Sequence, residues 1–197
     1  MFPNEALRNF IQDEHRPRMS GADFLEGEVA VFLALCAKGL SIMGASPLRL
    51  AQCEMRIIGA FKRQCIAVHG WCFLPDCYAV VAQAENASGA AESIKRFHGK
   101  LSAQFNAEDR APRRVVWSKF QTRLLADESA LYAALNALHH EPVRREYVQR
   151  WQDWPFSSAR FYLERLGREE TVRIWRQYPC DDGVFFDAMH GSKQSTQ

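Results

Sequence analysis

The chain has 197 residues, a formal charge of +2, 47% hydrophobic and 24% charged residues, which is the composition of a folded protein of one or at most two domains. That excludes a largely disordered chain, and the length supports a core without disulfide or metal staples. Residues 1–28 carry Glu5, Arg8, Asp13, Glu14, Arg16 and Arg18 and lack a signal-peptide apolar run, while the longest apolar stretch, Val29–Ala37, is too short for a membrane span. A cytoplasmic protein without a membrane partner is expected, with the six cysteines as free thiols.

In chain order, residues 1–20 are polar and read as an N-terminal arm with a helical turn near Glu5–Ile11. Val29–Ala37, bounded by Gly27 and Gly39, predicts a buried strand. Ser46-Pro47 opens a helix through Lys62 with Leu48, Leu50, Met55, Ile58 and Phe61 on its apolar side. Cys65–Leu74 and Tyr78–Ala82 are apolar runs hinged at Pro75-Asp76, either one bulged strand or two strands meeting at a corner. Ser88-Gly89 reads as a break before a helix over Ser93–Asn106, and Asp109–Arg114 as a loop. Val115–Leu125 predicts a strand, and Asp127 an N-cap for a helix through Leu138. Ser157 or Ser158 caps a last helix across 159–177, and the end of the chain reads as a partly disordered tail within 181–197. This order predicts an α+β fold with one domain over 21–180: a ferredoxin-like antiparallel sheet with helices on one side, plus a C-terminal helical extension.

Charge is concentrated. Residues 93–125 carry Lys95, Arg96, Lys100, Arg110, Arg113, Arg114, Lys119 and Arg123 against only Glu108 and Asp109, interleaved with Phe97, Phe105, Trp117 and Phe120. Such a segment suits a phosphate backbone with unstacked bases; a solvated helix face with aromatics turned inward is the alternative.

The run Leu138-His-His-Glu-Pro-Val-Arg-Arg-Glu-Tyr-Val148, followed by Trp151-Gln-Asp-Trp-Pro-Phe-Ser-Ser-Ala-Arg-Phe-Tyr162, resembles the C-terminal signature of the REP-associated tyrosine transposases, IS200-like enzymes of the HUH type. Trp117-Ser-Lys-Phe120 resembles that family's Trp-Gln-x-x-Phe, and Arg16-Pro17-Arg18 its basic entry arm, so the resemblance spans about residues 16–165. It implies single-stranded or hairpin DNA as the partner, a homodimer being left open, and magnesium- or manganese-assisted attack of a tyrosine on a phosphate. The family's metal-binding His-x-His falls on Cys77 and Ala79, and its nucleophilic tyrosine on Ala137. Alanine has no donor atom, and a lone thiolate suits neither hard cation. The nearest tyrosine, Tyr132, sits about 140° from Ala137 around a helix. The resemblance therefore implies a transposase-derived DNA-binding protein with no intact catalytic set, no metal and no cofactor. Its expected nucleic-acid contacts are Arg16, Arg18, Lys95, Arg96, Lys100, Arg113, Arg114, Lys119, Arg123 and Arg144. The alternatives are an active transposase (DNA transposition) working through displaced Tyr132 with Asp76 or Cys77, and a protein-interaction module.

Other residues have plainer readings. A zinc site from Cys65, His69, Cys72 and Cys77 fails on strand alternation, and a Cys77–His69 hydrolase lacks an oxyanion hole. His139-His140 reads as a surface helix end, Arg145 as a partner for a neighbouring carboxylate, and Trp154-Pro-Phe156 as a packing corner.

Overall fold

The computed structural model describes residues 27–37, 40–65 and 67–180. The arm with Arg16 and Arg18 and the tail over 181–197 lie outside the described residues.

Strand β1 (Glu28–Cys36) is followed by helix α1 (Pro47–Gln64), in which Ser46 Oγ accepts from Arg49 N at 3.1 Å and Pro47 occupies the first turn, where its missing N–H costs nothing. Strands β2 (Ala67–Phe73) and β3 (Cys77–Ala84) form a hairpin, with Leu74 N donating to Cys77 O at 2.8 Å across Pro75-Asp76. Of the two sequence readings of this region, the tight corner holds. Helix α2 (Ala87–Glu108) is longer than its apolar spacing predicts: Asn86 Oδ1 caps Gly89 N at 2.7 Å, so Ser88-Gly89 lies in its first turn and does not break the chain. Strand β4 (Trp117–Leu124) and helix α3 (Glu128–Arg144) follow, α3 being capped by Asp127 Oδ1 on Ala130 N at 2.8 Å.

The sheet order is β2-β3-β1-β4 with every neighbouring pair antiparallel, the ferredoxin-like arrangement. Period-2 alternation divides its residues between two cores. Ala30, Phe32, Ala34, Tyr78, Val80 and Ala82 pack under α1 and α2. Val29, Val31, Leu33, Cys77, Ala79 and Val81 pack under α3 and the C-terminal extension. The expected single last helix is two, α4 (Ala159–Leu166) and α5 (Arg168–Gln177), because Gly167 turns the chain at φ +80°.

The two sheet edges differ. Along β2, Phe73 N donates to Phe156 O at 2.8 Å and Ser158 N to Trp71 O at 3.0 Å, so residues 156–158 cover the outer backbone. Trp154 Nε1 donates to Phe73 O at 2.8 Å and the Trp154 ring meets Phe156 edge-on, which makes this segment a packing corner. Strand β4 forms the other edge and pairs on one side with β1.

Candidate nucleic-acid interface

The hydrogen-bond register sets three cross-sheet rows on the α3 face: Cys77–Leu35–Lys119, Ala79–Leu33–Gln121 and Val81–Val31–Arg123. Cys77 and Ala79 thus share a face, as alternation requires, and both are buried beside Ala137, Leu135 and Leu138 of α3. Burial drives the Cys77 thiol well above its ordinary pKa, so at neutral pH it is a neutral S–H. A neutral thiol and two alanines in an apolar layer do not fit a magnesium or manganese ion.

Beside Ala137 lies a groove of about 130 Å³ lined by Val31, Leu125, Ala130, Ala133 and Ala134, with Arg123 at its lip. Tyr132 does not enter it. Its ring stacks on Tyr178 at 5.2 Å, and burial, with the Glu128 charge, pushes its hydroxyl pKa up rather than activating it.

At the Cys77 end of these rows, Arg145 Nη1 donates to both oxygens of Asp76 (2.8 and 3.0 Å), and Arg145 Nε to Glu141 Oε1 at 2.7 Å. The expected carboxylate partner of Arg145 is therefore two carboxylates, one on the β2–β3 turn and one on its own helix. Arg144 lies exposed beside them, its Nε 4.0 Å from Glu141 Oε2.

His139 corrects the reading of a surface helix end. Helix α3 continues through Pro142 to Arg144, and Trp151, Tyr162 and Trp175 enclose the imidazole, which is fully buried with Nε2 2.8 Å from Ser158 Oγ. That hydroxyl also accepts from Trp71 N at 2.9 Å, and the helix-capping contact passes to its neighbour, Ser157 Oγ accepting from Ala159 N at 3.0 Å. Burial holds the His139 pKa down to about 3.

The cations of the basic segment separate in space. Lys119 and Arg123 are exposed on β4 toward the α3 face, and Arg113 is exposed at φ +64° in the loop that feeds β4. Arg114 is held inward: Nε donates to Asn106 Oδ1 (3.1 Å) and Nη2 to Asp109 Oδ2 (2.7 Å) and Phe105 O (3.3 Å). Lys95, Arg96 and Lys100 ride on α2, over the opposite face of the sheet, with Lys95 paired to Glu92 at 2.7 Å and Arg96 Nη2 donating to Ser93 Oγ at 2.9 Å. Two further exposed cations, Arg56 and Arg63 of α1, lie outside the basic segment and were not among the sequence candidates. Their seven-residue spacing on one helix stripe is the signal that would have found them.

No family model and no curated protein matches this sequence. Among solved structures, one described as a REP-associated tyrosine transposase bound to a REP hairpin aligns with a TM-score of 0.56 and 15% identity, covering 80% of this chain and 88% of that one. At that identity the likeness is one of fold: across most of both chains, this protein folds like a REP-associated tyrosine transposase.

Proposed function

We propose that the chain is a DNA-binding protein derived from a REP-associated tyrosine transposase, taking single-stranded or hairpin DNA along β4 and not cutting it. The observation that carries this reading is the pairing of opposites on one face of the sheet. Cys77, Ala79 and Ala137 close into an apolar layer, while Lys119 stands exposed at the end of the Cys77 row and Arg123 two rows along the same face. A cleaving site needs a metal ligand set and a reachable hydroxyl, and Cys77, Ala79 and Ala137 supply neither. A phosphate-binding surface needs exposed cations on a rigid element, which β4 supplies with Arg113 in the loop before it; Arg144 stands exposed at the end of α3. Arg114, engaged by Asp109 and Asn106, shapes the Arg113 loop instead of contacting DNA. The known hairpin-bound neighbour supports the choice of ligand by analogy of fold.

The test is binding to hairpin, single-stranded and duplex DNA across a salt series, with cleavage assayed on the same DNA in magnesium and manganese. Lys119→Ala with Arg123→Ala should weaken all sequences about equally and flatten the slope of log affinity against log salt by roughly 0.7 per lost contact on single strands. An unchanged slope removes β4 from the interface. A covalent protein–DNA adduct that vanishes in Tyr132→Phe would establish the active-transposase reading in place of this one.

A further inference from the structure

Helices α1 and α2 run antiparallel over the sheet, since Arg49 meets Asp109 and Arg56 meets Gln104. At one end their charges are settled internally. Arg49 donates to Asp109 Oδ1 and Oδ2 (2.6 and 2.9 Å) and to Glu108 Oε2 (3.1 Å), and with Arg114 it holds the Asp109 carboxyl down to about 2.

Farther along, the balance fails. The two helices part into a cleft of about 390 Å³, within the size range of small-ligand sites, where Arg56 and Arg63 of α1 stand across from Lys100 of α2. Arg56 and Arg63, seven residues apart, lie on one stripe roughly 10 Å apart. None of the three forms an ion pair with a carboxylate among the described residues; Arg56 instead reaches the neutral Gln104 amide, itself hydrogen-bonded to Glu108. Gly59, between the two arginines in sequence, lines the cleft without a side chain. The rest of the lining is apolar: Met55, Leu101 and the part-exposed ring of Phe97. Three cations line the cleft with no carboxylate among the lining residues, and a polyanion would offset their mutual repulsion. The part-exposed Phe97 ring beside them is a surface on which another aromatic ring can stack.

We propose that the α1/α2 cleft binds a nucleoside polyphosphate, with Arg56, Arg63 and Lys100 on the phosphates and Phe97 against the base. The site lies on the sheet face opposite the proposed DNA surface and does not depend on that reading.

Calorimetric titration of the full chain with adenosine triphosphate, inorganic triphosphate and adenosine tests it. Saturable one-to-one binding is expected for the nucleotide, weaker binding for inorganic triphosphate, and none measurable for adenosine. Arg63→Glu with Lys100→Glu, both at exposed positions, should weaken nucleotide binding at least about tenfold. Phe97→Ala should erase the nucleotide's advantage over inorganic triphosphate, and Phe97→Trp should keep it, which separates loss of the ring from loss of the fold. Absence of saturable binding, or an unchanged affinity in the double variant, overturns the proposal. So does competition in which hairpin DNA displaces the nucleotide and the double variant weakens both equally, since the cleft would then be part of a DNA path. Hairpin binding measured without nucleotide reports separately on the proposed function.

Discussion

Gly70 marks the close approach of α3 to the sheet. A Cβ there would stand 2.5 Å from Leu135 Cδ2 and 3.0 Å from Ser158 Oγ, inside contact distance of a packed core. Gly70→Ala should therefore cost about 1–3 kcal/mol in denaturant unfolding. Gly99, in the middle of α2 with nothing within 4 Å of the point a Cβ would occupy, should respond oppositely: Gly99→Ala should stabilise by about 0.5–1 kcal/mol. Equal effects at the two glycines would contradict the packing described. The same reasoning governs positions 77 and 79. Two imidazoles in place of a thiol and a methyl would overfill the layer under α3 and bring buried polar atoms with them. Cys77→His with Ala79→His should lower the melting temperature without manganese present, and manganese recovering the loss would show that this layer opens far enough to hold an ion.

At the scale of elements, one tie fixes α3 to the sheet and another fixes the segment that leads into the C-terminal extension. One is Arg145, joining the β2–β3 turn to α3 through Asp76 and Glu141, the latter carboxylate only 2% exposed. Arg145→Ala should cost about 3–5 kcal/mol, because it takes the guanidinium away from a buried charge. Asp76→Ala should cost much less, its side chain being 44% exposed. The other tie is the Trp154 corner. Truncation to alanine loses the Nε1–Phe73 O bond and the edge contact with Phe156, and should destabilise by about 3 kcal/mol. A normal melting temperature with single-strand binding weakened by about 1–3 kcal/mol would instead assign Trp154 to base stacking.

For the whole molecule, two of the buried histidines, His98 and His139, contribute a pH dependence, and His140 adds to it in the same direction. Burial lowers the pKa of His98 to about 4 and that of His139 to about 3, against about 6.5 in an unfolded chain. The unfolded state thus takes up protons that the folded state refuses, and stability falls as pH drops from about 6.5 toward 4, by up to roughly 1.4 kcal/mol per pH unit for each ring. Above pH 7 both rings are neutral in either state and contribute no slope. Denaturant unfolding at pH 7.5, 6 and 5 should show the loss, and His98→Gln, which keeps a partner for Tyr78 Oη, should reduce it. A flat profile between pH 7 and 5 would mean that the rings take up protons in the folded state.

Much of this architecture was legible in the chain because its signals are local. Alternation through Val29–Ala37, the caps Ser46 and Asp127 and the Pro75-Asp76 turn specify strands, helix starts and a hairpin through backbone geometry over a few residues, and alternation alone places Cys77 and Ala79 on one face. Tertiary packing decided the rest. His139 is a helix-end residue by spacing and a core residue in fact, because α4, α5 and Trp151 close over it from segments 12 to 36 residues away. Arg113 and Arg114 are adjacent in the chain, yet one is exposed and the other bound, since the turn geometry after α2, which residue types alone do not specify, aims the second guanidinium at Asp109 and Asn106. Likewise the basic segment, continuous in sequence, is divided by the sheet between two surfaces, and Arg56 and Arg63 meet Lys100 only because two helices distant in sequence pack side by side. Local periodicity assigns each residue a direction relative to its own strand or helix; what lies in that direction is set by the elements packed against it.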